Sequence, residues 1–158
     1  SICMRKGETM EDRYLFKAKF DDSDRWVKGE LVEVNDSYLI IPNHASKISV
    51  CWFSASNIIE VKKDTICQCT GLKDKNGNLI WENDIVKDLF SDVYAQIKYG
   101  GYQSCFDSTK VEHIGFYVNW FGRYAKSRRK DLGYWINMVD AEIVGNTFDN
   151  PELLESGE

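Results

Sequence analysis

Apolar and polar residues alternate along most of this chain with a period of two, the pattern of strands that bury one face. Tyr14, Phe16, Ala18 and Phe20 share one face, and Leu15, Lys17, Lys19 and Asp21 the other. That predicts a half-buried strand. Asp22-Ser23-Asp24, extended by Arg25, is a turn cluster before a second apolar run from Trp26 and Val27 through Leu31, Val32 and Val34. Asn35-Asp36-Ser37 predicts the next turn and Tyr38 to Ile41 the returning strand. Pro42, which cannot donate to a ladder, ends it. Ile48 to Phe53 is strand-like again, Ser54 to Asn57 reads as a loop or one helical turn, and Ile58 to Val61 as a short strand.

The second half of the chain continues in the same style. Asn76-Gly77 is a hairpin signal, because both residues tolerate the positive φ of a tight turn. Leu72 precedes it and Leu79, Ile80 and Trp81 follow, then Glu82-Asn83-Asp84 predicts a second turn into Ile85-Val86. Val93, Ala95, Ile97 and Tyr99 alternate with polar or amphipathic neighbours. Gly100-Gly101 predicts a turn from which Tyr102 to Phe106 pair back. Ile114, Phe116, Val118 and Trp120 alternate once more. Tyr134-Trp135-Ile136 and Glu142 to Thr147 are the last expected strands, and Asn150-Pro151-Glu152 has the form of a helix start. No stretch sustains a helical period. With turn signals about every ten residues, the expected architecture is mainly β: small, strongly bent antiparallel sheets of an SH3-like barrel type with few short helices.

The chain has 158 residues, 43% apolar and 13% aromatic, enough for one core or two small β lobes. The expected organisation is a flexible segment over 1–12, a β domain over 13–149, divisible into lobes 13–64 and 65–149, and a short helix or tail over 150–158. No apolar run approaches the length of a membrane span, and Ser1 to Lys6 lacks the apolar stretch of a secretory leader. The five cysteines, Cys3, Cys51, Cys67, Cys69 and Cys105, are odd in number and irregularly spaced, which predicts reduced thiols in a cytoplasm. Cys67 and Cys69 fall on one face of a strand and are expected as buried thiols, since their spacing lacks the CxxC pairs of a zinc site.

The residues point to no catalytic constellation, cofactor or metal. There is no GxSxG, P-loop or GxGxxG pattern. The two histidines, His44 and His113, are far apart in sequence, and either would need a carboxylate beside it to act as a base. Acids such as Glu82 and Asp84, or Glu11 and Asp12, sit in turn-like contexts where solvation is the ordinary fate.

One segment stands out. Residues 123–130 carry Arg123, Lys126, Arg128, Arg129 and Lys130 and no acid. The rest of the chain therefore holds 15 of its 20 basic residues against all 25 acidic ones, within a net charge of −5. That balance argues against coating nucleic acid by bulk charge but leaves room for a local patch. Trp120, Phe121 and Tyr124 sit beside or within the cluster. Three readings stay open: a solvated loop between strands, a nucleic-acid contact in which basic side chains grip phosphates and rings stack on bases, or a surface that meets the acidic face of a neighbouring subunit. The candidate contact residues are Trp120, Tyr124, Lys126, Arg128, Arg129 and Lys130.

Three stretches together resemble the YopX family. They are Phe16-Lys17-Ala18-Lys19 followed by Trp26-Val27-Lys28-Gly29; Thr70-Gly71-Leu72-Lys73-Asp74-Lys75-Asn76-Gly77 followed by Asp84-Ile85-Val86; and Ile143 to Leu154, reading IVGNTFDNPELL. Two positions depart from the family pattern: Cys69 stands where the family usually has an aromatic residue, and Asn83 where it usually has glycine. Asn tolerates the left-handed conformation better than most residues, so the turn is expected to survive. The resemblance implies a predominantly β protein encoded by a phage or prophage, with no established catalytic residues to carry over. The shared residues are turn formers and core residues, which specify a fold rather than a reaction. The combined expectation is a non-enzymatic accessory protein acting by binding, as a homo-oligomer. The alternatives are a nucleic-acid-binding β-barrel using the basic loop 123–130, binding to a phage or host protein, and a small enzyme with an unrecognised site, which a pocket holding His44 or His113 beside a carboxylate would support.

Overall fold

A computed structural model describes residues 12, 14–42, 49–51, 54–56, 58–103, 108, 111–122, 125–138 and 141–155. The chain divides into two compact units, residues 1–69 and 70–158.

In the first unit, β1 (Leu15–Lys19) pairs antiparallel with β2 (Trp26–Val34), β2 with β3 (Ser37–Pro42), and β3 with β6 (Ile59–Glu60). β4 (Ser49–Cys51) and β5 (Ser54–Ser56) pair antiparallel, so a strand stands over Ser54–Ser56, where a loop or helical turn is expected, and Asn57 of that expectation lies outside the described residues. The β2–β3 connection is a two-residue turn in which Asn35 and Asp36 both take positive φ, 48° and 66°, the backbone that continues the twist of a hairpin. The alternation of β1 holds: Ala18 is buried with Val27, Ile40 and Val61, and Phe16 and Phe20 pack against them. The opposite face departs from expectation. Lys17 and Lys19 are buried rather than solvated, with their ammonium groups 5.1 and 5.5 Å from the Trp26 ring centre. Long lysine stems cover the ring while cation–π attraction holds the charge.

The strand β7 (Cys67–Lys73) begins in the first unit, where Cys67 and Gln68 pair with Lys17 and Phe16, and ends in the second. Cys67 and Cys69 are both buried, as their shared face predicts. In the second unit, β8 (Leu79–Trp81) precedes a four-stranded antiparallel sheet in the order β11-β10-β9-β12, formed by β11 (Glu112–Trp120), β10 (Val93–Gln103), β9 (Asp84–Asp88) and β12 (Glu142–Asn146). Its core gathers Ile80, Val86, Ala95, Ile97, Val118, Trp120, Leu132 and Trp135. The fold is mainly β, and among the described residues neither unit's sheet closes into a barrel.

Two expectations fail in this unit. β10 runs straight through Gly100-Gly101, and the returning strand begins at Glu112 rather than Tyr102. Gly100 lies opposite Gly115, and the rings of Tyr102 and Tyr117 stack 5.3 Å apart on the diagonal across that pair. That ring pair supplies cross-strand side-chain contact on a stretch of the ladder where the two glycines supply none. Tyr134-Trp135-Ile136, expected as a strand, lies in the helix α1 (Leu132–Met138). Leu132 and Trp135, one helical turn apart, are both buried against the sheet. The predicted start at Asn150 leads into the single-turn helix α2 (Glu152–Glu155).

Candidate functional site

The basic segment is built into the second unit by its backbone. The Val118 N–H donates to the Lys130 carbonyl at 2.8 Å, and Tyr117 bridges Asp131, so residues 130–131 lie along the outer edge of β11. The Arg129 carbonyl accepts from two indoles, Trp120 Nε1 at 2.9 Å and Trp135 Nε1 at 2.6 Å. These two rings pack 4.4 Å apart. Two buried indole donors each need an acceptor, and a single carbonyl serves both, which anchors the segment to the core.

Arg128 adds a charged clamp. Its Nη1 lies 3.1 Å from Asp88 Oδ2 and its Nη2 donates to Ser91 Oγ at 2.9 Å. The guanidinium sits over the Trp120 ring at 4.9 Å and the Trp135 ring at 5.9 Å. Asp88 is 3% exposed. Burial alone would push its carboxyl up. Hydrogen bonds from the Ser91 hydroxyl, the Phe90 N–H and Arg128, together with the Arg128 charge, outweigh burial and hold it below the usual carboxylate range. Arg129 stacks over Tyr134 at 4.5 Å and reaches Asp131 at 3.2 Å.

The six candidate contact residues therefore separate. Trp120 is 3% exposed and belongs to the core, so its faces are closed to a base. Arg128 is held by Asp88, and Arg129 is half-buried between Tyr134 and Asp131. Lys126 is exposed on the short 3-10 turn Ala125–Ser127, and Lys130 is partly exposed. Tyr124 lies outside the described residues, as does His44. His113 faces the Tyr102 ring at 5.5 Å, extending the stack to His113, Tyr102 and Tyr117. Burial, then the charge and hydrogen bonding of Asp131, raise the Tyr102 phenol above its ordinary value, so that ring remains a neutral donor.

Sequence reasoning passed over Asp88, Ser91 and Trp135. Asp88 is 40 residues from Arg128, and no local spacing connects them. It also passed over the exposed end of the β10–β11 pair. There the core face runs on past the core: Ala95, Ile97, Val118 and Trp120 are buried, while Tyr99 is 55% and Ile114 78% exposed. Tyr99 meets Phe116 edge-on at 5.1 Å.

The turn residues of the second half converge elsewhere in the same unit. The Asp74 carboxylate accepts from the N–H groups of Asn76, Asn78 and Ile143 at 2.9, 2.9 and 3.3 Å. β9 pairs with β12 through Asp84↔Asn146, Ile85↔Gly145 and Val86↔Ile143. The Asn83 carbonyl accepts from the Thr147 N–H at 3.0 Å, and Asp84 caps the turn by accepting from the Trp81 N–H at 2.8 Å. The segments around 70–86 and 143–150 thus form one scaffold, held by the β9–β12 ladder and by the Asp74 and Asp84 carboxylates. Among the described residues no helix is long and apolar enough to cross a membrane.

The family model described as YopX protein matches residues 15–155. No curated protein matches the chain.

Proposed function

The chain belongs to the YopX family, and on that premise we propose that it is a phage or prophage accessory protein that acts in the host cytoplasm by non-catalytic binding, as a homo-oligomer. The observation that carries this reading is the apolar end of the β10–β11 pair, where Tyr99 and Ile114 stand in solvent on the face that forms the core a few residues away. Large exposed side chains continuous with a core face mark contact surfaces. Light scattering coupled to gel filtration tests the reading: an assembly larger than one chain is expected, and a strict monomer at high micromolar concentration overturns it.

A second reading, nucleic-acid contact by residues 123–130, draws on the exposure of Lys126 and the partial exposure of Arg129 and Lys130. It is the weaker one, because Trp120 and Arg128 are committed within the unit. Substituting Lys126 and Lys130 with alanine should weaken nucleic-acid retention at low salt; no retention by the parent protein at low salt removes this reading.

A further inference from the structure

β11 is an edge strand whose outer side is covered over only part of its length. Residues 130–131 pair with it at Tyr117 and Val118. In an antiparallel ladder, alternate residues turn their N–H and C=O groups to opposite sides. Glu112, Ile114 and Phe116 therefore present theirs to the side on which Val118 meets Lys130. Upstream of the Tyr117–Asp131 bridge, no described strand or bridge pairs with this edge. The same stretch carries the 78% exposed Ile114, and open space surrounds the position a Cβ would take at Gly115.

We propose that a second copy of this chain adds its own Glu112–Phe116 to this edge, antiparallel, about a two-fold axis at Ile114. The proposal rests on the homo-oligomer reading and names its surface. An antiparallel edge is self-complementary under a two-fold, so one patch serves both partners and the assembly closes. With the axis at Ile114, each Ile114 faces its counterpart, each Glu112 faces a Phe116, and each His113 faces a Gly115. No like charges are opposed, and the imidazole meets a residue with no side chain. The 130–131 segment of each copy occupies the edge beyond the paired window, which blocks longer overlap. Ile114 and Phe116 of both copies fall on one face beside Tyr99, so the two apolar ends become neighbours across the junction, with the Glu112 carboxylates, which lie over Gly101, flanking them.

Sedimentation equilibrium of the full chain tests this with three variants. Ile114→Lys places a charge on the axis, and Ile114→Pro removes the N–H that the pairing uses. Phe90→Lys alters another exposed apolar residue, 80% exposed, away from this edge. Both Ile114 variants are expected to weaken self-association at least about tenfold, and Phe90→Lys to leave it unchanged. The Ile114 side chain is in solvent, so Ile114→Lys keeps its fold and decides the matter even where the proline variant unfolds. An assembly that Ile114→Lys leaves at parental affinity overturns the surface while the homo-oligomer stands. A parent chain that is monomeric at high micromolar concentration overturns both.

Discussion

At the scale of single residues, two positions carry costs that follow from what surrounds them. A Cβ at Gly29 would lie 2.6 Å from the Ile41 carbonyl carbon and 2.9 Å from Ile40 Cγ2, and the first of these is backbone held in the β2–β3 ladder. Gly29→Ala is expected to lose about 3 kcal/mol, read from urea melts, because the strand cannot retreat without breaking its pairing. Asp88 is the second. Removing its charge by Asp88→Asn strands Arg128 over two indoles, and a cost of about 3 kcal/mol at neutral pH is expected. The pH dependence has a definite sign. The folded carboxyl lies below its ordinary value of about 3.9, so between the two values the unfolded chain binds more protons. The stabilisation is full above about pH 4 and is lost as pH falls through the folded value. Parent and Asp88→Asn melts should therefore differ at pH 7 and converge in strong acid; a constant gap would contradict the clamp.

Asn83 shows a residue whose conformation was legible but whose role was not. It takes φ of 65°, the left-handed region that asparagine accepts better than most residues. Its side chain also accepts from Gln96 Nε2 at 2.9 Å, a contact glycine cannot make. At Asn76-Gly77 only Gly77 takes positive φ, 85°, because Asp74 organises a wider turn by accepting from the Asn76 and Asn78 N–H groups. A turn type depends on this side-chain capping as well as on the two central residues.

At the scale of elements, the revealing case is α1. Its few residues are too short to hold a helix by propensity alone, and the aromatic, β-branched run Tyr134-Trp135-Ile136 favours a strand. Tertiary contact decides. Trp135 packs on Trp120 at 4.4 Å and donates to the Arg129 carbonyl, while Leu132, one turn earlier, enters the same core. Trp135→Ala is expected to cost about 3–5 kcal/mol and to abolish much of the near-ultraviolet circular dichroism of the indole pair. Retention of that signal would show that α1 is held by other means. The β10 strand makes the same point in reverse. Gly100-Gly101 reads as a turn in isolation, and becomes mid-strand in a ladder that runs unbroken from Ala95–Trp120 to Gln103–Glu112, with the Tyr102 and Tyr117 rings stacked across it.

At the scale of the whole molecule, charge separates the competing functions. The chain carries −5 overall, yet the side chains of its basic segment are partly neutralised by Asp88 and Asp131. Self-association through an apolar strand edge should change little between low and high salt, whereas phosphate binding falls steeply as salt rises. Sedimentation across a salt series tells the two apart, and loss of the assembly at moderate salt would favour electrostatic assembly through residues 123–130 instead.

Much of this protein follows from its chain alone. Period-two alternation located β1, β11 and the first part of β10, because burying one face of a strand is a local periodic demand, and apolar runs bounded by turn residues located β2, β3 and β9. Asn35-Asp36 and Asn83 marked turns, because few residues accept positive φ. Tertiary structure alone decided the fate of side chains whose partners are distant in sequence. It buried Lys17 and Lys19 around Trp26, drew Arg128 to Asp88 across 40 positions, and turned Trp135 into a helical residue. It also left Ile114 in solvent at the end of a face that is core elsewhere. Periodicity says which residues share a face; it does not say where along that face the covering elements stop.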